Sequence, residues 1–287
     1  MYEIVKNYRD NKALRDSFNE LAEKTFGLNF EGWYQNGFWG DNYNPYSIVI
    51  DGKVVANVSV NRTDMWADGQ QKRLYQLGTV MTEEGHRNRG LIRAIMAEVE
   101  KDTANADGVY LFGNDSVAEF YPKFGFRTGK EFCYSKTVSQ KGGCEMINVP
   151  MRTAADWAVL DKAMEKNVFR GGCDMVGNPQ LIFFYVSQFM QENVYYCEKM
   201  DTYAVAEIED GQLLLHNVFS PNAIALDRVI EAFGAEITHV TLGFAPADPE
   251  GWEAADYHEE DCTFFIKGAF FERFEEKKLR IPTLSHA

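Results

Sequence analysis

The clearest chemistry in this chain lies in six residues, GHRNRG at 85–90, between an apolar strand-like run (73–82) and an amphipathic run (91–104). A loop joining a strand to a helix presents unpaired backbone N–H groups at the positive end of the helix dipole, which is a ready anion site. Arg87 and Arg89 add charge, and Gly90 lets an oligophosphate approach the backbone closely. No Lys-Ser/Thr pair follows the glycine and no G-x-G-x-x-G opens the helix. The nucleoside-triphosphate loop is therefore absent and dinucleotide binding is disfavoured.

A second motif follows about thirty residues on. Asn114 ends the next strand-like run, and Phe120-Tyr121-Pro122-Lys123-Phe124-Gly125-Phe126 forms an aromatic turn. With Arg87-Asn88-Arg89-Gly90-Leu91-Ile92, this pair of motifs resembles the GNAT N-acetyltransferases. Their coenzyme signature is Arg/Gln-x-x-Gly-x-Gly/Ala after a strand, with an Asn and a Phe-Tyr-x-Lys-x-Gly-Phe turn downstream. Ile92 stands where the family usually has Gly or Ala. The subgroup similar to the "enhanced intracellular survival" acetyltransferases tolerates a large aliphatic residue there.

The resemblance implies acetyl-CoA as co-substrate, no metal, and a residue-by-residue set of roles. Arg87, Asn88, Arg89, Gly90 and Leu91 would hold the pyrophosphate, chiefly through backbone N–H. Val80 and Thr82, on a strand that splays from its neighbour in the family, would hold the pantetheine and face the thioester oxygen. Tyr121 would be the general acid to the departing thiolate, since a phenol with a pKa of ~10 is protonated at neutral pH. Asn114 would bond the coenzyme, cap the next helix, or both. Each side chain also has a plainer reading as strand packing, a surface pair or a half-buried aromatic.

The proton acceptor is less defined. Some family members place a glutamate eleven residues before the signature Arg; here that position is Gln76, which could hold a water but cannot be a base. Glu83 and Glu84 read as loop surface. The Ala287 carboxylate is a further candidate, because in the resembling subgroup the chain terminus reaches the catalytic domain. The aromatic loop at 30–46, with Trp33, Tyr34, Phe38, Trp39, Tyr43 and Tyr46, lies where the family shapes its acceptor site. Those rings read equally as a cation–π surface and as a plug of core. His258-Glu259-Glu260-Asp261-Cys262 has the residue types of a metal site, but consecutive loop residues diverge, so solvated surface is expected.

The elements that would position these groups follow from periodicity. Residues 9–26 place Leu14, Phe18, Leu21 and Ala22 on one helical stripe. Two runs around Asp51-Gly52 read as a hairpin, and Asp68-Gly69 as another turn. Runs at 73–82 and 109–112 read as strands, 91–104 and 116–124 as helices, and 132–138 as the strand closing the first unit. Lys141-Gly142-Gly143 is the expected boundary. Beyond it, helices at 151–164 and 222–233, an apolar segment at 179–190, a hairpin around residues 209–211 and strands at 195–199, 237–244 and 262–267 repeat the same order. Ser220-Pro221-Asn222 replaces the arginine loop. The expected fold is α/β (α+β): a mixed, mostly antiparallel sheet flanked by helices over 1–140, followed by a second, degenerate copy over 145–287.

Composition bounds the rest. The 287 residues suit two domains. No apolar run approaches the ~20 residues of a membrane span and no apolar leader is visible. Five cysteines without Cys-x-x-Cys spacing argue against a disulfide framework or zinc and for the cytoplasm. Of the net charge of −14, residues 1–144 contribute 18 Lys and Arg against 19 Asp and Glu, and residues 145–287 contribute 11 against 24. Such a chain repels nucleic acid and anionic membranes. Its acidic half is either a solubility device or a steering field for a small cationic amine. A non-catalytic acyl-CoA-binding module and a transferase of longer acyl groups are the alternative functions; the oligomeric state is open.

Overall fold

The computed structural model describes residues 2–286. Its first sheet runs, in spatial order, β1 (Glu3–Val5), β2 (Tyr43–Ile50), β3 (Lys53–Arg62), β6 (Leu74–Thr82), β7 (Gly108–Gly113), β17 (Thr263–Lys267) and β8 (Arg127–Thr128). The second runs β10 (Ile147–Asn148), β12 (Val194–Cys197), β13 (Thr202–Glu209), β14 (Gln212–Phe219), β15 (His239–Leu242), β9 (Glu131–Thr137) and β16 (Glu253–Tyr257). Position by position the two sheets have the same pairing. Every pair is antiparallel except the central one, β6 with β7 and β14 with β15, which is parallel. The second half is thus a structural repeat of the first. A small third sheet, β11 (Asp174–Met175), β4 (Met65–Ala67) and β5 (Gln70–Lys72), bridges the halves.

One expected placement is corrected. The strand at 132–138 does not close the first sheet; as β9 it lies between β15 and β16 of the second. The first sheet is completed instead by β17, which pairs with β7 from Thr263↔Gly113 to Lys267↔Val109. Apolar alternation makes both runs good strands but does not say which open edge they fill.

Local chemistry explains the elements. Helix α1 (Lys12–Phe26) is capped by the Asn11 side chain, which accepts from Leu14 N, and stops at Gly27 with φ of 70°. The turns Asp51-Gly52, Asp68-Gly69 and Asp210-Gly211 all have both residues at positive φ, the twist a two-residue hairpin requires. Helix α2 (Glu31–Gln35) follows α1, and α3 (Leu91–Asp102) follows β6. The two sides of the first sheet carry separate cores. Leu91, Ile95 and Val99 of α3 pack with Ile48, Val58 and Leu77; Phe18 and Leu21 of α1 pack with Trp33, Tyr43 and Met81. In the second half lie α4 (Ala154–Glu165), α5 (Pro179–Gln188) and α6 (Leu226–Glu231). The helix expected at 116–124 is two short 3-10 turns (115–117 and 121–124), because Pro122 and Gly125 interrupt it.

Candidate active site

The ladder between β6 and β7 ends at Leu77↔Leu111, although β6 continues to Thr82 and β7 to Gly113. From Gly78 onward the edge of β6 that faces β7 has no strand partner. On its other side, the register with β3 shifts between Asn57 and Ser59, which places a bulge at Thr79 and Val80. Thr79 sits at φ of 46°, a conformation that costs a β-branched residue about 1–3 kcal/mol. The strain is held by hydrogen bonds: Tyr43 OH lies 2.5 Å from Thr79 Oγ1, and the fully buried Asn57 donates Nδ2 to Thr79 O at 2.9 Å. Asn57 is itself fixed by Ser47 and Ser59, so the bulge is built in from below.

Between the parted strands lies a cavity of about 630 Å³, well within the range of small-molecule sites. Gln76, Val80, Thr82, Asn114 and Tyr121 all line it, as does Ile92 from the start of α3. The arginine loop lies just beyond this rim. Asn88 (φ 61°) and Gly90 (φ 72°) turn the chain so that α3 starts at Leu91 with no side-chain cap and no acidic residue in its first turn. The first helical bond is Ala94 N to Gly90 O, leaving the preceding N–H groups without helical acceptors. Leu91 is buried in the core below, whereas Arg87, Asn88, Arg89 and Gly90 are exposed. Among the described residues neither Arg87 nor Arg89 forms an ion pair, although the chain carries 43 acidic residues. The helix terminus is therefore open, with two arginines that lack ion-pair partners; Arg87 Nε donates to Thr82 O at 3.4 Å.

Tyr121 begins the second of the two turns after β7 and is 4% exposed. Its ring packs on Phe265 at 5.0 Å between centroids, and Gly113 makes room for it, since a Cβ there would lie 3.0 Å from the ring. Burial pushes the phenol up to about 12, so it is protonated at neutral pH. Asn114 lines the cavity but does not cap the following turn. It donates Nδ2 to Asp261 at 2.7 Å, and the other Asp261 oxygen accepts Asp115 N at 2.9 Å. The capping alternative is thereby replaced by a clamp from the 258–262 loop. His258 through Asp261 are exposed, as expected, and no cluster of metal-ligating side chains occurs among the described residues. That loop nevertheless reaches the cavity through Glu259 and Cys262.

Of the two readings of the aromatic loop, the plug of core is the one seen, since Phe30, Trp33, Trp39, Tyr43 and Tyr46 are all buried. Phe30, Trp33 and Tyr43 also back the cavity. One wall of the site was not singled out in the sequence. From α5 and the residue after it, Leu181, Phe184, Tyr185 and Phe189 form the opposite wall. Docking is fixed by Trp33 Nε1 donating to Gln180 O (2.9 Å) and by Phe38 stacked on Phe183 at 4.3 Å. A run apolar on every face, QLIFFYV, signals a helix buried on more than one side. The chain's tail also arrives: Tyr110 OH donates to Ser285 O and Tyr185 OH to His286 O, with the His286 ring stacked on Phe112 at 4.0 Å. Burial lowers this imidazole to about 3, so it is neutral. Ala287, the carboxylate named above, lies outside the described residues.

Residues 11–129 match the family model described as an acetyltransferase (GNAT) domain. This segment is a GNAT domain. The match stops two residues before β9 crosses to the second sheet. No curated protein matches the chain in sequence. Among solved structures, a probable N-acyltransferase from Enterococcus faecalis is similar in fold at 13% identity, covering 96% of this chain and 75% of that one with a TM-score of 0.62. Eis1 from Mycobacterium abscessus is similar over 92% and 72%, at 13% identity and a TM-score of 0.52. A putative acetyltransferase from Pyrococcus horikoshii covers 100% and 96%, at 11% identity and 0.52. The likeness spans both sheets, so the GNAT domain here is the first of two of the same architecture. No helix among the described residues is long and apolar enough to cross a membrane.

Proposed function

We propose that the protein transfers an acetyl group from acetyl-CoA to a primary amine by direct attack in a ternary complex. One observation carries this reading: the uncapped N-terminus of α3 with Arg87 and Arg89 stands at the rim of a cavity that the buried Tyr121 lines. The loop from Arg87 to Leu91 binds the donor phosphates, and the free edge of β6 at Val80 and Thr82 receives the pantetheine and polarises the thioester carbonyl. The amine nitrogen then forms the C–N bond, the C–S bond breaks, and Tyr121 gives its proton to the sulfur. Asn114, held by Asp261, orients the donor from the β7 side.

Coenzyme A release measured over a panel of primary amines tests this, with Tyr121→Phe as the diagnostic variant. That variant should keep donor affinity and lower kcat roughly 10²-fold. Retention of kcat within a factor of two would reduce Tyr121 to packing. Micromolar acetyl-CoA binding without turnover of any amine would favour the acyl-CoA-binding module instead.

A further inference from the structure

Resting on that reading, we infer that the acceptor is a primary amine carried on an apolar body, aromatic or alkyl, that enters between α1 and α5 and reacts as the neutral amine. Three observations support it. First, the cavity passes through the sheet. Ile92 lies on the α3 face, whereas Phe26, Phe30 and Trp33 lie on the α1 face with Phe184. The donor cradle is at the first end, so the second end is a separate ligand's place. Second, that far end has its own mouth. Phe26 is 43% and Phe189 57% exposed at its rim, two large rings left in water where a blind pocket for an acyl tail would need none.

Third, the lining is nearly uncharged. Its titratable groups are Tyr43, Tyr121, Tyr185, Cys262, His286 and Glu259. Burial pushes the three phenols up and the Cys262 thiol to about 11, and it holds His286 neutral. Among the described residues of the lining, Glu259 at the edge is the one carboxylate, and no Lys or Arg is present. The acidic excess of the second half therefore lies outside the cavity. A polycation would leave its surplus charges desolvated and unpaired there, at high cost. A single ammonium instead loses its proton on entry, because burial disfavours the charged form. This supplies the deprotonation for which Gln76 offers no base. The proton balance closes: one proton goes to water on entry, and the second, released as the amide forms, restores the Tyr121 phenol after it has protonated the sulfur.

The test compares kcat/KM for 2-phenylethylamine and spermidine with acetyl-CoA, repeats the first with octanoyl-CoA, and adds Phe189→Glu and Phe184→Ala. Phenylethylamine should lead spermidine by about tenfold or more, and each variant should raise its KM about tenfold with the acetyl-CoA KM unchanged. Phe189→Glu alters an exposed ring and keeps the test independent of folding. A preference for spermidine would overturn the inference. So would a preference for octanoyl-CoA with variants that move the donor KM, which would give the apolar end to the acyl chain. Acetyl-CoA binding with no release from any amine would sink the transfer reading itself, a distinct outcome.

Discussion

In each half of the molecule a central parallel pair of strands parts after four residues, β6 from β7 beyond Leu77↔Leu111 and β14 from β15 beyond Leu215↔Leu242. The first gap holds a cavity; the second is filled by the chain itself. Gly243 N donates to Leu215 O, Thr283 N to Gly243 O, and Arg280 to Leu242 O, while Thr283 Oγ1 lies 2.9 Å from His216 Nδ1. Ile281 and Leu284 are buried there. Gly243 is needed for this fit, since a Cβ would meet Thr283 Oγ1 at 2.5 Å. The loops differ to match. Where the first half has GHRNRG before a 12-residue helix, the second has Ser220-Pro221-Asn222 before the six residues of α6. In the first half an open gap and an arginine loop before a long helix occur together; in the second the gap is filled and the short helix carries Asp227 in its first turn. The same tail couples the halves, plugging the second gap at 280–284, then meeting Tyr110 of the first sheet at Ser285 and lining the first cavity at His286.

The sharpest way to break this comparison is to separate the halves. A fragment of residues 1–140 lacks β17 and leaves the β7 edge, with Tyr110 and Leu111, unpaired; it should show no cooperative thermal unfolding. A cooperative fragment would mean the exchanged strand is dispensable and the boundary at 141–143 is a true domain limit. Next in size, Leu284→Ala removes a side chain 1% exposed in the plug and should cost about 2–4 kcal/mol in denaturant unfolding. Its KM for acetyl-CoA should stay unchanged, whereas a shifted KM would mean the second gap communicates with the donor site.

The smallest expected effect concerns Glu131 at the start of β9, which accepts Ile281 N at 2.8 Å. Burial raises its carboxyl from 4.5 to about 7, against the opposing pull of that hydrogen bond and Arg280. The folded state therefore binds a proton that the unfolded state has released, and stability falls as pH rises from about 4.5 to about 7. The loss should be on the order of 1–3 kcal/mol, and Glu131→Gln should flatten it. An identical pH slope in the variant would assign the effect to another group.

The sequence made the site more legible than the architecture. GHRNRG, Asn114 and the Tyr121 turn are local motifs; Asn114 and Tyr121 line one cavity, and GHRNRG lies just beyond its rim. The Asp-Gly hairpins and the α1 stripe were readable because they too are local. What could not be read was long-range: β9 and β17 are equally good strands, and only the packed molecule decides that they exchange sheets. Likewise the α5 wall and the Asp261 clamp on Asn114 depend on contacts across more than 140 residues of chain. Thr79 at positive φ has no signal of its own, because the network that holds it is assembled from two other strands, β2 and β3.

The central claim, that the open gap of the first sheet is a donor site, is tested most directly by titrating acetyl-CoA into the wild-type protein and into Arg87→Ala/Arg89→Ala by calorimetry. Two charge-assisted phosphate contacts are each worth ~1.5–3 kcal/mol when well formed, and solvent exposure reduces them, so Kd should rise about 10²-fold in the double variant. Thermal stability should be unchanged, because neither arginine has an ion-pair partner to lose. Equal affinity in the two proteins would contradict the account and leave the loop without its phosphate.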